Sequence, residues 1–205
     1  MSIRRISLGF DLRVNPETQK ANPAQMNQSL MSAPSSPISA DQNIWSEPEQ
    51  VESLMDGVLP DFANPLHLAK SIDLLLDACR QCGIPTADLC RVCLTTDEAN
   101  IVALIDRFGP GYFENQPKEE DLISQGWQLR GFDVVDPDGL ISGLKGVRYN
   151  EPTRSQLRNY FGSTLNEVGL FNNAPVACQF AGVRGLQVKA HAPFVVIGVL
   201  TQDQT

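Results

Sequence analysis

The first hydrophobic pattern is an alternation. Ile6, Leu8, Phe10, Leu12 and Val14 are interleaved with Ser7, Gly9, Asp11 and Arg13. A period of two predicts a strand with one buried face, and Asn15-Pro16 ends it. Residues 15–45 are rich in Pro, Ser, Asn, Gln and Ala and poor in large apolar groups. Such a stretch cannot bury enough surface to offset ordering entropy, so it reads as a linker. The strand on this tether either folds back into its own sheet or adds to the edge of another chain's sheet.

Helical spacing dominates the middle of the chain. Ser46-Glu47-Pro48-Glu49 has the spacing of a capping box and predicts a short helix to about Met55. Asn64-Pro65 opens a second helix carrying Leu68, Ile72, Leu75 and Cys79, with Gly83 as its stop. Leu89 to Leu94 reads as a strand. Thr96-Asp97-Glu98 caps a third helix with Ile101, Leu104, Ile105 and Phe108 on its apolar face, ended by Gly109-Pro110-Gly111. A shorter helix covers Lys118 to Ser124. Trp127 to Val135 alternates imperfectly and leads into the turn Asp136-Pro137-Asp138-Gly139. Thr153 to Phe161 and Thr164 to Phe171 read as helices broken near Gly162. Val176 to Phe180, Gly185 to Lys189 and Phe194 to Leu200 read as strands, the last preceded by Pro193. No internal repeat is read. The predicted fold is α+β: several helices on one largely antiparallel sheet. Residues 1–14 form a strand of that sheet, 15–45 the linker and 46–205 a single domain.

Composition narrows the class. The 205 residues are 42% hydrophobic, enough for a core. No apolar run approaches the roughly 18 to 20 residues of a membrane span, and no signal peptide is read. A cytoplasmic location is expected, with the five cysteines reduced. The net charge of −8 is uneven: +2 over residues 1–40, −11 over 41–125 and +1 over 126–205. An acidic middle keeps helices soluble, repels nucleic acid and speeds encounter with basic partners.

Few side chains suggest chemistry. Cys79-x-x-Cys82 and Cys90-x-x-Cys93 supply four thiolates that would suit zinc. The gap between the pairs is short, however, and residues three apart on a strand point to opposite faces. Core cysteines are the competing reading. His67 and His191 are the only histidines. A small enzyme would draw on Cys178 or His191, both placed in the C-terminal strands. Asp133, Asp136 and Asp138 are spaced like the start of a calcium loop, but the last position of that pattern is Leu144, so a turn reading competes. No GxGxxG, P-loop, HExxH or Gly-x-Ser-x-Gly is present. Arg148, Arg154 and Arg158 form a modest basic group, weak evidence for nucleic acid against the overall charge.

Trp127 to Asp136 (WQLRGFDVVD), Ser142-Gly143-Leu144, Leu165 to Phe171 (LNEVGLF) and His191 to Phe194 (HAPF) follow in an order that resembles small bacterial proteins of the immunity type, as found in contact-dependent and polymorphic toxin systems. The resemblance covers about residues 126–200 and carries no catalytic motif. The stretch after Gly146 departs from it, lacking a Cys-Gly-aromatic segment. It implies a non-enzymatic inhibitor without a cofactor, acting on a protein partner such as a basic toxin rather than on nucleic acid or membrane. The partner-facing residues are then Asp133, Asp136, Asp138 and His191. Within HAPF, Pro193 would start a strand, Phe194 would pack and His191 would bond a carboxylate such as Asp133. A small enzyme, a zinc-stabilised adaptor and an assembly subunit using the first strand in trans are the alternatives.

Overall fold

A computed structural model describes residues 4–14, 68–81, 83, 85–86, 89–102, 104, 111–136, 142–144, 153–187 and 193–202. The 15–45 linker, the 46–55 helix, Ile105, Phe108 and the Gly109-Pro110 stop lie outside these residues. The elements are β1 (Arg5–Val14), α1 (Ile72–Gln81), β2 (Leu89–Asp97), α2 (Glu119–Ser124), β3 (Gln128–Val135), α3 (Thr153–Phe161), α4 (Ala174–Gln187) and β4 (Val195–Gln202). The strands form one four-stranded sheet in the order β1-β2-β4-β3, antiparallel throughout. The fold is α+β, as the patterning predicts. β1 pairs with β2 of its own chain, so the first strand completes its own sheet.

Both outer edges are occupied. Phe10 exchanges two 2.8 Å backbone hydrogen bonds with Ala69, and the Ser7 N–H donates to Pro117 O. On the other side Phe132 exchanges two 2.9 Å bonds with Phe171, and the Gly143 N–H donates to Val134 O. Short pairings of this kind blunt edges that would otherwise recruit foreign strands.

The architecture repeats, although the sequence scarcely shows it. β1-α1-β2 and β3-α4-β4 follow a similar order, with α3 added in the second, and their strand pairings are symmetric about a pseudo-two-fold at the Leu94–Val199 pair. The flanking pairs exchange across that axis: Cys93–Leu200 with Thr95–Gly198, and Val92–Thr201 with Thr96–Ile197. Both edge strands carry Gly-Phe-Asp, at 9–11 and 131–133. Both shift register immediately before that glycine. The bulge residue's carbonyl is bonded from outside in each copy, Leu8 O by the Tyr112 hydroxyl and Arg130 O by Asn166 Nδ2, both at 2.7 Å. Asp11 and Asp133 each accept the next residue's N–H at 2.8 Å. The helices start alike too. Ser71 Oγ accepts the Asp73 N–H, and Asn173 Oδ1 accepts the Val176 N–H, each near the first turn.

Strand parity decides what each face holds. On one face α1 packs Leu75 and Cys79 against Leu12, and α4 packs Ala177 and Phe180 against Phe132, Val134 and Val196. Between the two helices Trp127 and Leu122 cover Phe10, Cys93 and Leu200. The other face joins Leu8, Val92, Leu94, Val135, Ile197 and Val199 to Leu68, Leu104 and Leu170.

Several expectations are corrected. The second helix begins at Ile72, because Leu68 and Ala69 run beside β1 and Ala69 bonds Phe10. It stops before Gly83, whose φ of +67° is left-handed. Thr164 to Phe171 is not a helix. Asn166 Oδ1 takes the N–H groups of Val168 and Leu170, and Gly169 has φ +76°, so the segment closes on itself as a turn. The strands expected at 176–180 and 185–189 are not present. Residues 174–187 form α4, with Pro175 in its first turn, and 188–189 lie outside the described residues. The apolar run Val176-Ala177-Cys178 resembles a strand locally, but Ala177 and Phe180 define a helical face.

Candidate functional site

The expected partner-facing carboxylates turn inward. Asp133 is fully buried and accepts the Ser142 hydroxyl at 2.9 Å, while Asp136 is buried beside it in sequence. Neither presents its carboxylate at the surface, which removes both from the partner-facing set. Asp138, His191 and the proposed His191–Asp133 contact lie outside the described residues, as does His67.

The cysteines do not converge. Cys79 belongs to the cluster under α1, Cys93 to the Trp127 cluster and Cys90 packs against the opposite face. One zinc ion cannot draw ligands from all three places; Cys82 lies outside the described residues. Burial pushes the Cys93 thiol up to about 12, aided by the charge of Glu119 and opposed by its contact with the Ser7 hydroxyl. Cys178 is exposed on α4, correcting its expected strand position, and its pKa is also raised, by partial burial and then by the negative charge of Asp97. Neither has the lowered pKa of an activated nucleophile. With a disulfide reagent and peptide mapping, Cys178 is expected to label slowly in the native protein, faster as pH rises above the usual thiol range. Cys93 is expected to label only on unfolding. Rapid labelling of Cys93 in the native state would contradict this placement.

The polar centre that the sequence reading missed is built on Arg5. It lies on the helix-bearing face and is almost fully buried. Its Nε donates to Glu119 Oε2 at 2.9 Å and lies 3.4 Å from Thr95 Oγ1, while Nη2 donates to Thr95 O at 3.0 Å. The Thr95 hydroxyl donates to the same Glu119 oxygen. The guanidinium lies 4.9 Å from the centre of the Phe132 ring. Asp97 sits at the N-cap position of a 3₁₀ turn but makes no capping bond; its Oδ1 lies 3.6 Å from Arg5 Nη1. Gly198 is the floor. A Cβ there would lie 2.6 Å from Thr95 Oγ1 and 2.9 Å from Arg5 Nη2.

The symmetric register offers a comparison for this centre. The two-fold axis carries Arg5 onto Trp127, Phe132 onto Phe10 and Thr95 onto Leu200. Trp127 packs on Phe10 with ring centroids 5.4 Å apart, just as Arg5 stacks on Phe132. One copy fills the position with an indole. The other buries an arginine, which requires a counter-charge. Residue-type signals alone could not find this, because Arg5, Thr95, Asp97 and Glu119 are brought together from β1, β2 and α2.

Burial raises the Asp97 pKa, opposed by Arg5 and reinforced by Glu119. A carboxyl whose folded pKa is raised binds its proton more tightly in the folded state. Its contribution favours folding below that pKa and turns against folding as pH rises through it. Asp97→Asn is therefore expected to be neutral or mildly stabilising at neutral pH, with the difference vanishing in acid. A urea series at several pH values checks it; a loss of stability confined to neutral pH would reverse the sign.

Among the described residues, the elements around β1 carry exposed charges of both signs, carboxylates in slight excess. α1 and α2 both pack on β1. Tyr112 ties the 111–115 turn to β1, and the Glu98 N–H donates to Arg4 O. Asp73, Asp77, Glu98, Glu114, Glu120 and Asp121 are exposed on these elements, against Arg4, Lys70, Arg80 and Lys118. Arg80 pairs with Asp77. No helix among the described residues is long and apolar enough to cross a membrane. No protein family, curated protein or solved structure matches this chain.

Proposed function

We propose that the chain is a non-enzymatic binding protein of the immunity or inhibitor kind, which meets a basic protein through the acidic surface around β1. One observation carries the reading: four separate segments that adjoin β1 place exposed carboxylates there, in the part of the sequence that holds a charge of −11 over residues 41–125. Such a surface steers an oppositely charged partner and fixes its orientation, and needs no reactive group. The resemblance of residues 126–200 to bacterial immunity proteins points the same way. In this reading the C-terminal copy of the repeat supplies a rigid scaffold and the N-terminal copy supplies the contact surface. A cytoplasmic location accords with reduced cysteines.

Native mass spectrometry of the chain isolated from its own host cells tests the proposal. The expected spectrum contains a stoichiometric basic polypeptide that dissociates as salt is raised, because exposed charges are screened within about 8–10 Å at physiological ionic strength. Recovery of the chain alone at low salt would count against it.

A further inference from the structure

Arg91 lies on the helix-bearing face of β2, paired with Leu12 on β1 and Gln202 on β4. It is half-buried. Its Nη1 donates to Gln202 Oε1 at 3.2 Å, and Gln202 Nε2 donates in turn to Gln125 O at 3.2 Å. Among the described residues no carboxylate pairs with this guanidinium, although the chain carries 24 acidic side chains against 16 lysines and arginines. Nε is buried without a hydrogen-bond partner, whereas Nη2 makes no hydrogen bond and is not buried, so it opens to solvent. We propose that Arg91 is the docking point for a single carboxylate, an Asp or Glu side chain of the protein partner; this rests on the reading of α1 and α2 as part of the contact surface.

The fold does not ask for a cation here. The symmetric register carries Arg91 onto Val196, buried in the apolar cluster under α4, and Gln202 onto Asp97. An apolar side chain therefore serves at the first position, and a carboxylate is accepted at the second. In the Arg91 half the cation is present, but the neighbour that could neutralise it is an amide. A half-buried charge left without a counter-charge costs folding free energy. Water can satisfy the open Nη2 but does not neutralise the charge; a carboxylate does both, with a charge-assisted hydrogen bond. Gln202, pinned by Gln125, holds the other end of the guanidinium in place, so less side-chain entropy is lost when the carboxylate arrives. The setting selects the source. α1 packs on Leu12 at one side of Arg91, and Gln125 follows α2 at the other. These helices expose Asp73, Asp77, Glu120 and Asp121. Their charge repels a multiply charged anion more than a lone carboxylate set among basic residues. A basic partner drawn to these helices then gains its register from one acidic side chain placed on Arg91.

Arg91→Met removes the charge and keeps an apolar stem, and two readouts test it in the full chain. In urea unfolding the midpoint is expected to move little, because no ion pair is lost. Affinity for the basic polypeptide recovered with the chain from its host cells is expected to fall roughly 10- to 100-fold, as for loss of a hydrogen bond to a charged group. Arg91→Lys, which keeps the charge without the planar fork, is expected to lose less. Alanine replacement of the polypeptide's Asp and Glu residues one at a time is expected to find one whose effect disappears in Arg91→Met. A large drop in the urea midpoint would show that the arginine serves the fold, and the absence of any coupled carboxylate would show that nothing docks on it; either overturns the proposal. If lysines in place of Asp73, Asp77, Glu120 and Asp121 weaken binding while Arg91→Met does not, the contact surface stands and the docking point falls. If no polypeptide is recovered, both fall together.

Discussion

Replacing Glu119 by alanine is expected to destabilise the folded chain by about 3–5 kcal/mol, the range for removing one partner of a buried ion pair. The substitution leaves Arg5 buried with Asp97 at 3.6 Å as its remaining counter-charge, and it takes away the acceptor of the Thr95 hydroxyl. Urea unfolding reads the change as a large shift of midpoint with little change in slope. Removing both charges should behave differently. Arg5→Met combined with Glu119→Leu is expected to cost less than Glu119→Ala, because no guanidinium is left buried short of a counter-charge and Asp97, whose pKa burial already raises, can take up a proton. A double-mutant cycle separates the two effects. Equal destabilisation by the single and double substitutions would mean that the centre is held by something other than this charge pair.

Gly9→Ala and Gly131→Ala are expected to be the most damaging backbone substitutions, each costing about 2–5 kcal/mol. Both glycines have left-handed φ, +138° and +145°, where an L side chain is strained. Space is also lacking. A Cβ on Gly9 would lie 2.7 Å from Leu68 Cβ and 3.0 Å from Ala69 O; on Gly131 it would lie 2.8 Å from Leu170 Cβ and from Phe171 O. Backbone oxygens cannot move aside cheaply, since these segments pair with the edge strands. The repeat predicts that the two losses are similar in size. Gly83→Ala is the control. Its φ is +67° but nothing lies within 4 Å of the added carbon, so only the conformational term of about 1–2 kcal/mol applies. Thermal or urea unfolding of the three variants checks the order. A harmless Gly9→Ala or Gly131→Ala would mean that the edge strands do not sit against residues 68–69 and 170–171 as described.

The strands were the most legible elements. The alternation of β1, the short apolar runs of β2 and β4 and the imperfect alternation of β3 all correspond to strands, and the imperfection in β3 is its bulge at Gly131. The helix end at Gly83 was legible through its glycine, which has positive φ. Illegible were the elements whose local pattern is ambiguous. Val176 to Phe180 is a five-residue stretch, apolar except for Gln179, that suits strand or helix, and the Asn173 bond to Val176 N–H settles it only in three dimensions. The turn at 165–171 was hidden because one asparagine side chain organises three backbone or side-chain contacts there. The repeat is nearly invisible because only Gly-Phe-Asp and a few positions such as Thr96 and Thr201 keep their identity, while register, bulge and helix start persist without it. The site divided in the same way. Acidity of the middle segment is a count along the chain. The Arg5 centre depends on residues 5, 95, 97 and 119 meeting on one face of the sheet, which no spacing rule anticipates.

The proposed contact surface around β1 is tested most directly by charge reversal. Asp73→Lys, Asp77→Lys, Glu120→Lys and Asp121→Lys combined change only exposed side chains on α1 and α2, so the fold is expected to persist by circular dichroism. The measurement is the affinity of this variant and of the natural chain for the basic polypeptide recovered with it, at two salt concentrations. The account predicts at least a tenfold loss at low salt and a flatter salt dependence in the variant. Undiminished binding by the folded variant would contradict it.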